Sequence, residues 1–305
     1  MARNGVQFQK GLSTAEFNLL YGTEDACREA LVRMRWPNGF VCPKCSETKH
    51  GYCEPRKEFQ CRACRLQTSV RAGTIFHKSQ TPLTKWFLAI YLVAHDKRGV
   101  SATLLSQELG MTYKTAWLLL HKIRNAMGER DAQYALAGIV ELDDAFFGAP
   151  TEGGKRGRGT EKTAVLVGLS LNEKGHPLHV KMEIIPDVKG TTLVNFAQTS
   201  ITKGSRINSD ALRSYNALSK EGFQHEAKKF NPIENPDHLK WIHIVISNVK
   251  AFIEGTYHGL DEKHLQPYLN EFCYRFNRRK FKGELFNRLL SCCATTPTIT
   301  CSPSV

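Results

Sequence analysis

Three acids arrive almost together in the run Gly138-Ile139-Val140-Glu141-Leu142-Asp143-Asp144-Ala145-Phe146-Phe147-Gly148. The apolar residues around them read as a buried strand, where a carboxylate is costly unless it meets a metal or a partner. Side-chain alternation puts Glu141 and Asp143 on one face and Asp144 on the other. A further acid, Asp210, ends the strand-like run Ser205-Arg206-Ile207-Asn208-Ser209. Acids at two strand ends suit a divalent metal site. The alternative makes Glu141 and Asp144 exposed edge residues and Asp210 a turn residue or helix cap. The second chemical group is sulfur: Cys42 and Cys45, then fifteen residues, then Cys61 and Cys64, each pair spaced C-x-x-C. That spacing offers four thiolates to one structural Zn2+, with each pair on a tight turn of a small hairpin. His50 and Cys53 are the alternative ligands.

The elements that must position these groups follow from hydrophobic period and breakers. The chain of 305 residues is long enough for two or three units, and 41% hydrophobic content fills a real core. Lys+Arg 42 against Asp+Glu 29 gives a net charge of +13, the footprint of a protein that approaches nucleic acid. The N-terminus has no apolar signal core, and the longest apolar run, residues 86–94, is too short to span a bilayer. The expected location is the cytoplasm, with nucleoid association when DNA is bound. In that reducing compartment the paired cysteines favour metal over disulfides.

A helical lead-in over 1–36 precedes the cysteine ribbon, 37–75. A DNA-binding region follows at 80–128: Ser101 to Leu109 forms a short helix, Gly110 a turn and Thr112 to Met127 a second helix. Helix, glycine turn, helix is the helix-turn-helix arrangement. Its second helix turns Ala116, Leu119, Leu120 and Ile123 inward and shows Tyr113, Lys114, Trp117, His121 and Arg124 outward, suited to phosphates and base edges. A plain helical hairpin with a solvated face is the competing reading.

Past the acidic strand lies a glycine-rich basic loop whose Lys155, Arg156 and Arg158 can follow a phosphate backbone. Strands at 162–171, 179–185 and 206–210 and a helix at 191–201 indicate an α/β layer. A helix after Asn235-Pro236-Asp237, with Asp237 as N-cap, carries Trp241, Val245, Val249 and Phe252 on one side. His243, Ser247, Lys250 and Glu254 stack on the other, two turns separating His243 from Lys250. Residues 261–290 form a basic amphipathic helical segment, and the tail, 291–305, is irregular.

Taken together, Arg35-Trp36-Pro37 ahead of the cysteines, the Val140-Glu141-Leu142-Asp143-Asp144 strand and the basic glycine loop resemble a known family. So do Asp210 followed by Tyr215, and Gly255-Thr256-Tyr257-His258 running on to Tyr274-Arg275-Phe276-Asn277-Arg278-Arg279. The family is that of prokaryotic insertion-sequence transposases that join an N-terminal zinc ribbon to an Asp-Asp-Glu type, ribonuclease H-like catalytic core. The resemblance covers nearly the whole chain and implies a mixed-sheet α/β core over 135–290. It makes Asp143 and Asp210 the first two catalytic acids, with two Mg2+ or Mn2+ ions as cofactors. Many members carry Glu at the third position with a basic residue seven positions on. Here the corresponding residues are His243 and Lys250, and Glu254 is the alternative third ligand. The implied partners are double-stranded DNA, both element ends and target, bound by a homodimer or larger assembly, with no membrane. The implied reaction is cleavage at the element ends and transfer of the freed 3'-hydroxyls into target DNA. The competing classes are a DNA-binding regulator with a degenerate core and a ribonuclease H-like nuclease that cuts without joining.

Overall fold

The structure, a computed structural model, describes residues 11–148, 160–229, 231, 233–257, 260–281 and 283–297. It divides into two compact units, Met1–Met127 with Phe281–Val305, and Gly128–Lys280. No helix among the described residues is long and apolar enough to cross a membrane.

In the first unit the expected lead-in is two helices, not one. Helix α1 spans Thr14–Tyr21 behind a capping box in which Ser13 and Glu16 satisfy each other's backbone N–H groups. Helix α2, Glu24–Arg35, restarts at Thr23, whose hydroxyl accepts the Ala26 N–H. A three-stranded antiparallel ribbon follows, β1 His50–Cys53, β2 Glu58–Cys61 and β3 Gln67–Ser69. Its core is small: Phe40, Cys42 and Cys61, flanked by Trp36, Phe59, Cys64 and Leu66. Arg35 ties the ribbon to α2, donating to the carbonyls of Ser69, Val70 and Ala72 while its guanidinium lies over the Trp36 ring. Helices α3, Leu83–His95, α4, Ala102–Leu109, and α5, Tyr113–Ala132, come next. Gly110 closes α4 in the left-handed region, φ 55°, which a Cβ would strain. This is the expected helix, glycine turn and helix.

The second unit is a five-stranded sheet built from β4 Ile139–Phe147, β5 Thr163–Leu171, β6 Pro177–Ile184, β7 Arg206–Ser209 and β8 Gln224–Ala227. Their order is β6-β5-β4-β7-β8. The first three pair antiparallel, while β7 runs parallel to both β4 and β8. Helix α6, Gly190–Ser200, and a 3-10 helix, Arg213–Glu221, cover one face, packing on Val140, Leu142, Leu166 and Ile207. Gly168 in the middle of β5 leaves room for that layer, since a Cβ there would meet Leu136 at 2.9 Å and Phe196 at 3.3 Å. Helices α7, Lys240–Thr256, and α8, Glu262–Asn277, cover the other face over Ala145, Phe147, Val165, Val167 and Val180. Five aliphatic residues of α7 are buried, Ile242, Val245, Ile246, Val249 and Ile253, each contributing roughly 1.5–3 kcal/mol of apolar burial. Asp237 does not cap this helix. It pairs with Lys240, and the N-cap position falls to Leu239.

Strand β6 is an edge, and side chains of α8 and of Arg279 just past it close it. Asn277 accepts from Val180 N and donates to Val180 O, Gln266 does the same for Ile184 N and Met182 O, and Arg279 donates to Leu178 O and Pro177 O.

The expected single segment over 261–290 is interrupted after Asn277, and α9, Leu285–Thr295, belongs to the first unit. The compact unit that holds the sheet ends at Lys280. The tail is not irregular from 291: Cys292, Cys293 and Ala294 are buried in α9, and Thr295 and Thr296 turn their hydroxyls back onto helix carbonyls.

Candidate active site and metal centre

In the ribbon, Cys42, Cys45, Cys61 and Cys64 bring their Sγ atoms within 4.8 Å of one another. Cys42 Sγ lies 3.6 Å from Cys64 Sγ and Cys45 Sγ 3.5 Å from Cys61 Sγ. Four sulfurs tetrahedral about one ion at about 2.3 Å stand about 3.8 Å apart, so the cluster fits a single metal. Each pair sits on a matching turn, followed by a residue in the left-handed region, Ser46 (φ 59°) and Arg65 (φ 61°). Desolvation pushes the Cys42 thiol up, yet N–H donors from Lys44 and Cys45 and the neighbouring thiols outweigh it and hold it at about 7. The Glu47 N–H pulls the Cys45 thiol down, but its contacts with Cys64 and Cys61 outweigh that and push it up to about 12, so one thiol of the cluster yields its proton more readily while another keeps it. His50 stays out of the cluster: its Nδ1 meets Thr48 O at 2.9 Å and its ring packs on Phe40 and Phe59.

In the second unit the acids lie where parallel strands adjoin. The register pairs Leu142 with Ser209, so one step further along each strand come Asp143 and Asp210. Asp143, with its side chain 14% exposed, faces α7, and His243 Nε2 stands 3.2 Å from its Oδ2. The contact with Asp143 raises the pKa of His243 against desolvation, and the charges of Asp143, Glu141 and Asp210 add to it. Among the described residues the four cysteines are the group whose ligand atoms all converge within 4.8 Å, a spacing that Asp143, Asp210 and His243 do not meet as a set. The Asp210 carboxylate also accepts the Leu212 N–H at 3.1 Å.

Lys250 and Glu254 do not join this group. At 1.5 Å per residue they lie about 10 and 16 Å further along α7 than His243. Lys250 sits 5.6 Å from the Phe147 ring, at the opposite end of β4 from Ile139, and Glu254 is exposed. Glu141 is neither at an edge nor exposed. It is 5% exposed, and its Oε2 accepts the Ile242 N–H at 2.8 Å. Burial raises its pKa, with that N–H pulling the other way. Asp144 faces the opposite layer, as alternation requires, and accepts from the Tyr215 hydroxyl at 3.4 Å. Sequence reasoning missed two further residues beside Asp210: His225, whose Nε2 is 2.8 Å from Ser209 Oγ, and His238, whose Nε2 is 3.1 Å from Ser209 O. Neither carries a local signal, because both act on a strand that precedes them by many residues.

On α5, Tyr113 is 59% exposed, Lys114 is exposed and Trp117 half-buried, but His121 and Arg124 are buried at 4% and 1%. The outward placement of those two is corrected by packing. The helix is enclosed on more than one side, the Arg124 guanidinium donates to Val100 O, and the His121 ring stacks on Trp117 at 3.7 Å. Lys155, Arg156 and Arg158 lie outside the described residues.

Residues 22–67 match the transposase zinc-ribbon domain family and residues 135–277 the ISXO2-like transposase domain family. An uncharacterized protein in transposable element ISH50 of Halobacterium salinarum is 26% identical over 279 residues, 83% of this chain and 90% of that protein. An uncharacterized transposase-like protein of Haemophilus influenzae is 24% identical over 104 residues, 33% of this chain and 84% of the other. Among solved structures, the catalytic core domain of BIV integrase aligns with a TM-score of 0.28 and 14% identity over 44% of this chain and 81% of that one. The sheet itself, three antiparallel strands continued by two parallel ones with helices on both faces, is the ribonuclease H-like arrangement. The chain is thus similar to insertion-sequence transposases at both ends of its length, with a transposase zinc-ribbon match ahead of an ISXO2-like transposase domain match.

Proposed function

We propose that this chain is the active transposase of its insertion sequence, cleaving the element's ends and joining the freed 3'-hydroxyls to target DNA by two-metal phosphoryl transfer. The observation that carries the reading is His243 Nε2 at 3.2 Å from Asp143 Oδ2, on β4, whose parallel neighbour β7 ends immediately before Asp210. Two donors at about 2.1 Å from one cation and about 90° apart stand about 3 Å from each other, so this spacing suits a shared ion. Asp143 and Asp210 would hold Mg2+ or Mn2+, with His243 adding an imidazole that Mn2+ accepts more readily than Mg2+ does. Such ions supply Lewis-acid stabilisation of the attacking and leaving oxygens.

In the first step water adds to phosphorus at each element end and the 3'-oxygen departs as a hydroxyl. In the second that hydroxyl displaces a 3'-oxygen of the target strand, so no covalent protein intermediate is required. Lys250 would hold a phosphate further along the DNA. Tyr113, Lys114 and Trp117 of the helix-turn-helix, with Lys155, Arg156 and Arg158 of the basic loop, would grip the duplex in the cytoplasm, and a homodimer would present two ends together. The four-cysteine centre would hold one structural Zn2+.

The test uses DNA spanning an element end and its flank, incubated with Mn2+ and the zinc-loaded chain. Cleavage and joined products from the wild type, both absent in Asp143→Asn and Asp210→Asn while gel shifts persist, are expected. Cleavage with no joined product would make the protein a nuclease, and binding with no cleavage would make it a regulator.

A further inference from the structure

Helix α7 begins without a cap of its own. Its N-cap residue, Leu239, is apolar, 3% exposed and held at φ 55°, a conformation costly for any residue with a Cβ. Such a residue persists where its surroundings fix it from more than one side, and here two contacts do so. Glu141 Oε2 accepts the N–H of Ile242, the third residue of the helix, which an N-cap side chain ordinarily satisfies. One residue before Leu239, His238 Nε2 meets Ser209 O at 3.1 Å, an imidazole N–H donating to the carbonyl.

Where these two partners come from is the informative point. Glu141 lies two residues before Asp143 on β4, and Ser209 immediately before Asp210 on β7. The turn that carries His243 is thus tied once to each strand that carries an acid. A Ser or Asp at position 239 would satisfy the same N–H without burying a carboxylate. What a strand-borne carboxylate adds is register between α7 and β4. Its own burial is tolerable because the N–H is its partner.

We propose that Glu141 and His238 are positioning residues that pin the first turn of α7 to β4 and β7 and so set His243 against Asp143 and Asp210. This rests on the reading of those three residues as the ion-holding set. The test measures Mn2+ affinity by calorimetry and amide exchange along α7 in the zinc-loaded full chain. Glu141→Leu and His238→Leu are expected to weaken Mn2+ binding about tenfold or more and to speed exchange over residues 240–245, leaving β5 unchanged. Glu141→Gln keeps an acceptor for Ile242 and should retain affinity within about threefold.

The proposal is overturned if both leucine variants bind Mn2+ as the wild type does. It is also overturned if Glu141→Gln loses as much affinity as Glu141→Leu with exchange over 240–245 unaltered, since Glu141 would then be a ligand itself. Should Glu141→Leu fail to fold, His238→Leu decides, because that imidazole is only half-buried. His243→Ala separates the two ideas. If it binds Mn2+ normally the ion-holding reading fails, and the pinning then stands or falls on exchange over 240–245 alone.

Discussion

The four cysteines of the ribbon come from one short stretch of chain, and their sulfurs already stand at the spacing of a single tetrahedral ion. Asp143, Asp210 and His243 are drawn from about a hundred residues, sit on strand β4, just past the end of β7 and on helix α7, and stay open to solvent on the His243 side. In the ribbon, the core cluster has three buried residues, so a metal bound there would supply much of what packing does not. In the sheet, both faces bury apolar cores of their own, so an ion held there would be free to serve chemistry. A closed site reads out as folding and an open one as reactivity.

Several experiments can break that contrast, and the largest effect lies in the ribbon. Chelating its metal, or making Cys61→Ser, is expected to remove on the order of 10 kcal/mol and render residues 37–70 protease-sensitive, with one equivalent of Zn2+ per native chain by metal analysis. A stripped ribbon that resists protease would mean its packing suffices. Asp143→Asn and Asp210→Asn should do the reverse, lowering cleavage by about a thousandfold or more, equivalent to several kcal/mol of transition-state stabilisation, with melting little changed. Next comes the third position: His243→Ala should be nearly inactive with either ion, and His243→Glu should shift preference from Mn2+ towards Mg2+. Activity lost in Glu254→Gln but kept in His243→Ala would move the third ligand along α7.

A proton competes with the ion for His243. Contact with Asp143 raises its pKa above the ordinary 6.5, so in the metal-free chain NMR should show the imidazole still charged at that pH. Charged His243 stabilises the metal-free fold below the ordinary value, and that contribution fades as pH rises through the raised one. Mn2+ affinity runs the other way and should fall as pH drops through the same window. An imidazole titrating below 6.5 would contradict this. The smallest effect concerns Lys114→Ala, which should weaken end binding and make the salt slope shallower by about one unit.

Much of this was legible because it is local or periodic. The C-x-x-C pairs, the β4 run and the apolar stripe of α7 each announce themselves within a few residues. Strand β8 does not, since Gln-His-Glu-Ala has no alternating apolar pattern and becomes a strand only beside β7. The burial of His121 and Arg124 was hidden because polar tips on helix positions read as outward until neighbouring elements enclose them. The role of Glu141 was invisible for a related reason. Its partner N–H lies on a helix that sequence alone cannot place against β4.

The closure of β6 by Gln266, Asn277 and Arg279 has a consequence for the making of the protein. Strand β6 leaves the ribosome almost a hundred residues before Arg279 does, so at 5–20 residues per second its outer backbone groups wait roughly 5–20 s for their partners. Throughout that interval the growing chain displays β6 with its outer edge, at Val180 and Met182, unpaired and open to a neighbouring chain on the same message. Synthesis that stops short of α8 would leave that strand permanently available for addition.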